Sequence, residues 1–457
     1  MKNEKNGTIG RSQRIYSDEM TISLENIKKV IEKHKAQLSR YEKLEAMYYG
    51  EMDIYNLPAK EPWRPDNRIG AAFPKYIVDT FMGYFIGKPV KTKHLTPDID
   101  EKLVEFNNMN NIEDKNFELA KWACIYGSSI ELLYQNEDAK TRTTTLKPTE
   151  AFIVWDESIE PQPLYGIRYG VNDRDELVGA FYTRSEFYEF KGDSLLEPQT
   201  HPFETVPMIE YVHNTERMGI FEPVIPIINQ LNKIPSEKSN DVEYFAEAYL
   251  VFLGGEADFE EEDLSDVGEA RMMVLKGGYD GGGPLPDVKF LEKPNADSTQ
   301  ENLINRLEKW LFQISMVANI SDESFGNSSG TSLAYKLQAM SNLALNMQRK
   351  LRASLQERYR LFFTITENVP TTQAKEYANI EYTFDRNIPR NLLEESQIMQ
   401  NIDAIVSKET QLGVFSRIDD VSNELERIET EEKDYKDKFD SLRNVPEKED
   451  SNDDEAD

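Results

Sequence analysis

The run Gly83-Tyr84-Phe85-Ile86-Gly87-Lys88-Pro89 is the most suggestive for chemistry, because a glycine loop ending in Gly-Lys is how P-loop proteins cradle phosphates. That motif needs four residues between its glycines and a Ser or Thr after the lysine to hold magnesium. Here three residues intervene and Pro89 follows. The run also closes an apolar stretch instead of joining a strand to a helix, so it reads as a helix terminator packed by Tyr84 and Phe85. Residues 258 to 269 begin with Asp258 and end with Glu269 as a calcium loop does, but Asp263 stands where the sharp turn needs glycine. Gly277 to Gly283 lacks the G-x-G-x-x-G order and reads as a hairpin tip. Ser324, Ser328 and Ser329 have no histidine close in sequence and sit in no G-x-S-x-G elbow. His34, His94, His201 and His213 form no H-x-x-x-H or H-E-x-x-H pair. The single Cys124 excludes an intramolecular disulfide and a Cys-based zinc site, and fits a reducing compartment. The sequence thus leads us to expect no catalytic residue, no metal ligand and no cofactor.

Charge narrows the function further. Lys and Arg number 53 against 83 Asp and Glu, a formal charge of −30. Proteins that grip nucleic acid do so by neutralising phosphates, which takes the opposite sign. Contact with nucleic acid without a tight grip stays open. The apolar share of 39% and aromatic share of 11% are enough for a packed core. At ~150 residues per domain the chain has room for roughly three domains, or for one extended subunit that makes sense only inside an assembly. The polar N-terminus carries no apolar leader, and no stretch approaches the ~20 apolar residues of a membrane span. A soluble, cytosolic, acidic protein without membrane contact is expected.

The elements that would position any site follow from spacing. After a polar arm over residues 1–22, apolar positions at Leu24, Ile27, Ile31, Leu38, Tyr41, Leu44 and Tyr48 predict helix over 23–49. Asn67 to Val90 reads as a loop and then a buried helix from about Lys75, ended near Gly87 by Pro89. Two shorter helices are expected at 98–109 and 113–125. Between Gly127 and Tyr211, runs such as SSIELLYQ, EAFIVWD and LVGAFYT predict an antiparallel, strand-rich lobe. Helical spacing resumes over 222–232 and 236–251, interrupted at Pro235, which must kink or restart the helix.

Gly254 to Glu269 then holds eight acids and no base, followed by two strand candidates, ARMMVLK and DVKFLEK, around a glycine tip. This predicts a projecting, hairpin-like β insertion. A capping box, Ser298 to Glu301, opens a stripe at Leu303, Ile304, Leu307, Trp310, Leu311, Ile314 and Val317. The polar linker ISDESFGNSSG joins it to a second stripe through Leu333, Leu337, Met340, Ala344, Met347, Leu351, Leu355 and Phe362. Unbroken, that helix would span about 50 Å, so something large must pack along it. A strand at 381–389 and helices at 391–412 and 415–440 follow, before a tail, Pro446 to Asp457, with seven acids and one lysine that reads as disordered. The expected fold class is α+β, mainly helical.

Several residues recur in a familiar order: Asn67; Tyr76-Ile-Val-Asp79; Gly83-Tyr84; Gly87-Lys88-Pro89; Tyr126-Gly127 before an apolar strand; Ile167-Arg168-Tyr169; Asn240-Asp241; Tyr244-Phe245; Ala248-Tyr249-Leu250; Ser321-Asp-Glu; Phe325-Gly326-Asn327; Ser329-Gly330. Over roughly residues 20 to 410 this set resembles the portal proteins of tailed bacteriophages, in the family typified by the portal of Bacillus phage SPP1. The resemblance implies a portal-like subunit that assembles into a ring, normally of twelve, at one capsid vertex. Double-stranded DNA would pass through its channel during packaging and ejection, without sequence-specific binding.

Carried over by position, residues 1–22 form a flexible N-terminal arm and 23–222 a wing, helical and then strand-rich. Residues 223–253 and 298–318 become stem helices, 254–297 the clip and 319–330 the tunnel loop. The long wing helix and returning strand take 331–390, the crown 391–440 and the disordered acidic tail 441–457. Pro235 departs from a continuous first stem helix. Tunnel-loop residues expected to face DNA are Ser321, Asp322, Glu323, Ser324, Phe325, Gly326, Asn327, Ser328 and Ser329. Clip residues expected to bind protein partners are Glu256, Asp258, Glu260, Glu261, Glu262 and Asp263. The partners implied are the terminase large subunit, which supplies ATP hydrolysis, the head-completion adaptor, and the scaffolding and major capsid proteins. The subunit would assemble in the host bacterial cytoplasm and reside in the virion.

Two other classes compete. A terminase-like motor or nuclease would need a true P-loop or convergent carboxylates on adjacent strands, and neither is present in the sequence. A non-portal minor head or helical adaptor protein would be monomeric or dimeric and have no DNA channel.

Overall fold

The computed structural model describes residues 14–62, 64–246, 250–253, 272–275, 287–290, 297–321, 330–388, 392–415, 417–418 and 420–443. The fold is α+β and roughly half helical. It divides into two units, Met1–Asn327 with Ala334–Asn387, and Ser328–Leu333 with Ile388–Asp457.

The first unit begins with β1 (Ile15–Tyr16), α1 (Leu24–Lys35) and α2 (Leu38–Tyr48). The continuous helix expected over 23–49 is therefore broken, at a turn in which Gln37 N–H donates to the His34 carbonyl at 2.8 Å. Lys33 and Lys35 lie in the last turn of α1, where the helix dipole favours positive charge. The end of the expected flexible arm also differs. β1 pairs in parallel with β5 (Ala151–Trp155), Ser17 N–H donates to the Trp155 carbonyl at 3.0 Å, and the Arg14 guanidinium lies 3.7 Å from the Trp155 ring centroid. Ile15 is the reason, because it completes a core with Ile27, Val30, Ile31, Phe152 and Val154.

Strands β2 (Lys91–Lys93), β3 (Ser128–Gln135) and β4 (Thr141–Leu146) precede β5. After it come β6 (Pro163–Val171), β7 (Leu177–Tyr182), β8 (Glu186–Lys191), β9 (Ser194–Leu195), β10 (Gln199–Thr200) and β11 (Met208–Val212). One sheet runs β1-β5-β6-β7-β8-β10 with β9 also on β8, and a second runs β11-β3-β4. Apart from the β1–β5 pair these ladders are antiparallel, as the alternating runs predicted. The two sheets share a core in which Ile130, Leu132 and Met208 meet Ala151, Ile153, Ala180 and Tyr182.

Helices α4 (Pro97–Asn110) and α5 (Ile112–Tyr126) pack on the second sheet, α5 on β3, β4 and β11 and α4 on β4, and α3 (Phe73–Phe85) packs on α2 and α5. Gly127, at φ 91°, closes α5 in the left-handed region that favours glycine. α6 (Ile225–Ala246) carries Pro235 inside an unbroken helix. Helix is expected as far as Val251, and there the structure differs. The chain forms β12 (Leu250–Leu253) instead. β12 pairs in parallel with β13 (Met272–Leu275) and antiparallel with β14 (Asp287–Phe290). The two strands expected to form a hairpin thus flank β12 and are not neighbours. Parallel strands cannot be joined by a tight turn, and the sequence between Leu253 and Met272 is long enough for a crossover. α7 (Asp297–Ser315) packs along α6. α8 (Gly330–Thr364) is the expected long helix, and β15 (Glu381–Thr383) returns to pair with β2.

In the second unit, the helix expected over 391–412 divides into α9 (Leu392–Asn401) and α10 (Lys408–Gly413). Ala404 takes a φ of 61° between them. Ser407 caps α10 by accepting the Thr410 N–H at 3.3 Å. The charged helix α11 (Val421–Arg443) starts six residues later than the expected 415.

Candidate functional site

Most of the residues singled out in the sequence fall beyond what can be described. Asp322 to Ser329 of the expected tunnel loop, and Glu256, Asp258, Glu260, Glu261, Glu262 and Asp263 of the expected clip, lie outside the described residues. Ser321 is described and exposed, and its N–H donates to Asn319 Oδ1 at 3.2 Å. The described residues beside these segments in the chain include α6, α7 and the strands between them.

One face of α6 is a ladder of polar side chains. Asn232 Oδ1 accepts the Ala71 N–H at 2.9 Å, Ser236 Oγ the Ile69 N–H at 2.8 Å, and Asn240 Oδ1 the Asn67 N–H at 2.6 Å. The match is geometric. Alternate residues of an extended chain repeat every ~6.8 Å, and four residues of helix advance ~6 Å, so every second N–H of segment 67–71 meets a successive turn of α6. All three side chains are buried. Lys60 adds an ion pair to Glu237 at 2.7 Å, and Asn229 donates to Asp53 at 2.9 Å. Because Pro235 has no N–H to offer its helix, this ladder grips α6 on both sides of its weakest turn.

The exit from α7 is equally constrained. Met316 takes a φ of 60°, Val317 is buried, and Asn319 Nδ2 donates to Glu308 at 3.1 Å. The Ile320 N–H then donates to the Tyr76 hydroxyl oxygen at 2.9 Å, and the Tyr76 ring meets Phe312 edge-on with centroids 5.8 Å apart. Tyr76 lies on α3, directly after the segment that α6 holds. The far end of α3 confirms that Gly83 to Pro89 is a helix terminus. A Cβ at Gly87 would run into the Gly83 carbonyl. Arg386 donates to the Phe85 carbonyl at 3.1 Å and Asn387 N–H to the Tyr84 carbonyl at 3.2 Å, capping orphan acceptors.

α8 is seated by a buried ion pair that spacing alone did not reveal. Arg358 Nε reaches both oxygens of Glu131 on β3, at 2.8 and 2.9 Å, with both side chains fully buried. Tyr211 on β11 donates to Glu131 at 2.6 Å, Thr143 on β4 at 2.5 Å, and Arg358 donates to Asn116 on α5 at 2.7 Å. Burial opposes the Arg358 charge, but Glu131 and the neighbouring phenols outweigh it and raise the pKa above the ordinary value. The visible signals were a lone acid inside the apolar SSIELLYQ and an arginine in phase with Leu351, Leu355 and Phe362.

None of this is reactive chemistry. The Cys124 thiol is buried 3.7 Å from Met82, Met347 and His213, and burial pushes its pKa up, the reverse of an activated nucleophile. Burial holds His34 and His213 down to about 4. Among the described residues no group of three or more His, Cys, Asp or Glu side chains could hold a metal ion, and no helix is long and apolar enough to cross a membrane.

Comparison with known proteins gives one consistent result. The profile of the family described as "Phage portal protein, SPP1 Gp6-like" matches residues 27–438. The chain is 24% identical to the portal protein of Clostridium phage phiCD119, over 90% of this chain and 96% of that one. It is 22% identical to the portal protein of Bacillus phage SPP1, over 81% of this chain and 77% of that one.

Proposed function

Because the chain belongs to the SPP1 Gp6-like family of phage portal proteins, we propose that twelve copies form a ring at one capsid vertex, through whose channel double-stranded DNA is packaged and ejected. The observation that carries this reading is the family match across residues 27–438, which takes in both α6 and α7, the strands between them and the long α8. The surface of α7 supports it. Leu303, Trp310 and Ile314 are 45%, 46% and 51% exposed. Steps of seven and eleven residues are close to two and three turns at about 3.6 residues per turn, so the three form one apolar line that a lone subunit leaves in water. The neighbouring copy covers it in the ring.

The charge has a role in this assembly. A ring of twelve subunits at −30 each carries roughly −360 before counterions. A channel that must let DNA slide is better served by repulsion than by a basic lining that would clamp phosphates. Phe325 and the polar residues from Ser321 to Ser329 form the constriction that touches DNA, and acids 256–263 face protein partners at the clip. Those partners are the head-completion adaptor and the terminase large subunit, whose ATP hydrolysis drives packaging. Scaffolding and major capsid proteins surround the wing, and residues 391–440 form the crown. The portal is assembled in the host cytoplasm and stays in the virion.

Native mass spectrometry with negative-stain imaging tests the ring. A species of twelve or thirteen subunits with a central hole is expected. A stable monomer or dimer across salt and concentration, with scaffolding and capsid proteins present as well, would favour a minor head or adaptor protein. Replacing Phe325 or deleting Ser328-Ser329 should lower packaging and leave rings intact, and loss of rings in those variants would count against the loop assignment.

A further inference from the structure

We infer that Tyr76 is a positioning residue for the loop that follows α7, and that it couples the start of this loop to α6. The inference rests on the portal reading only for what the loop touches. The bracket itself is visible in the contacts.

Residues 67 to 76 are one continuous stretch of chain with two anchorages. At one end Asn67, Ile69 and Ala71 give their N–H groups to Asn240, Ser236 and Asn232 of α6. At the other end the Tyr76 hydroxyl accepts the N–H of Ile320, one residue before Ser321. Between them the chain enters α3 at Phe73, with Pro74 fixing the first turn, which leaves little slack. The Tyr76 ring braces on Phe312, in the last turn of α7, so its hydroxyl is held at a set distance from that helix. Asn319 is tied back to Glu308 of α7. Ile320 itself is exposed. Its N–H therefore has water as an alternative partner, and Tyr76 is what fixes its direction instead.

A displacement of α6 at the turn weakened by Pro235 is thus carried by segment 67–71 to Tyr76, and from Tyr76 to the first residues of the loop. Tyr76 touches no DNA in this scheme. It acts through Ile320.

Amide exchange in the assembled protein tests the bracket. Tyr76→Phe keeps the ring against Phe312 and removes only the acceptor, so exchange at the Ile320 amide should rise about two- to tenfold, the equivalent of one net hydrogen bond. Ring mass and thermal midpoint should stay close to those of the unaltered chain. The double variant Ser236→Ala, Asn240→Ala lies far from Ile320 in sequence and should raise the same exchange through the bracket. Unchanged exchange in Tyr76→Phe would overturn the positioning role, and loss of rings would assign Tyr76 to assembly instead. A response in Tyr76→Phe but none in the double variant would overturn the coupling to α6. Packaging by Tyr76→Phe portals separates this inference from the functional reading. Raised exchange with lowered packaging supports both, while raised exchange with normal packaging keeps the bracket and removes the loop from contact with DNA.

Discussion

Asn67 donates its backbone N–H to Asn240 Oδ1 at 2.6 Å, joining residues 173 apart in sequence, one in the segment before α3 and the other on α6. Both are buried or half-buried at the contact. Asn67 is half-buried and Ile69, which bonds Ser236, is exposed, so water can replace part of a lost acceptor and removing one costs about one net hydrogen bond, ~0.5–1.5 kcal/mol. Asn240→Ala and Ser236→Ala should each lower unfolding stability by that order. Because the two residues hold the same segment, the double variant should fall short of the sum. Denaturant titration of the three variants checks both points.

The Arg358–Glu131 pair gives a larger and more asymmetric effect. Breaking a buried pair by removing one partner strands the other charge, at a cost of about 3–5 kcal/mol, whereas replacing both with apolar groups is often close to neutral. Arg358→Met alone and Glu131→Gln alone should therefore destabilise strongly, and Arg358→Met with Glu131→Leu should recover much of the loss. Tyr211 and Thr143 limit that recovery, since each then loses its carboxylate acceptor. Equal loss in the single and double variants would show that packing, not charge, dominates the site.

Those two sites also show where sequence reading stops. The stripe from Leu337 to Phe362 was legible as one long helix because its burial repeats with helical period. The strands from 128 to 212 were legible because each alternates and ends at turn residues. Arg358 was not, because a charge in phase with an apolar stripe conflicts with the pattern until its partner is known, and that partner lies 227 residues away. The polar face of α6 is hidden for the same reason: nothing in the sequence marks Asn232, Ser236 and Asn240 as buried until segment 67–71 is laid against them. Asn67 and Asn240 are among the residues that carry the family resemblance, but nothing in their spacing points to the contact between them. Leu250 and Val251 were misread because an apolar run of that length fits helix or strand equally well, and the choice is made by pairing with β13 and β14.

Acid should weaken the first unit before ordinary carboxylates titrate. His34 stacks on Phe152 and meets the Tyr169 hydroxyl at 2.9 Å, while His213 is packed among Phe81, Cys124 and Met347. Burial lowers both to about 4, against ~6.5 in the unfolded chain. Between those values the unfolded state binds more protons, so stability is fully present above pH ~6.5 and is lost as the pH falls toward 4. Summed across the window, the loss is roughly 3 kcal/mol per histidine. Melting midpoints should drop between pH 7 and 5, and His213→Gln should flatten that drop even if it lowers the midpoint at pH 7. A His213→Gln profile parallel to that of the unaltered chain would remove this histidine from the account.

The exposed line on α7 makes the sharpest prediction about assembly. Leu311 is fully buried within the subunit, whereas Trp310, one residue away, is 46% exposed and faces elsewhere. The two positions therefore separate folding from association on a single helix. Trp310→Asp puts a charge into a surface that the ring would bury, where an unpaired carboxylate is costly, yet it removes little from the subunit's own core. It should yield folded monomers or broken rings, with a melting midpoint near that of the unassembled parent. Leu311→Ala should instead lower subunit stability by about 2–5 kcal/mol. Native mass spectrometry reads the first effect and denaturant titration the second. Intact rings from Trp310→Asp would place the contact between copies on another surface and leave the α7 line unexplained.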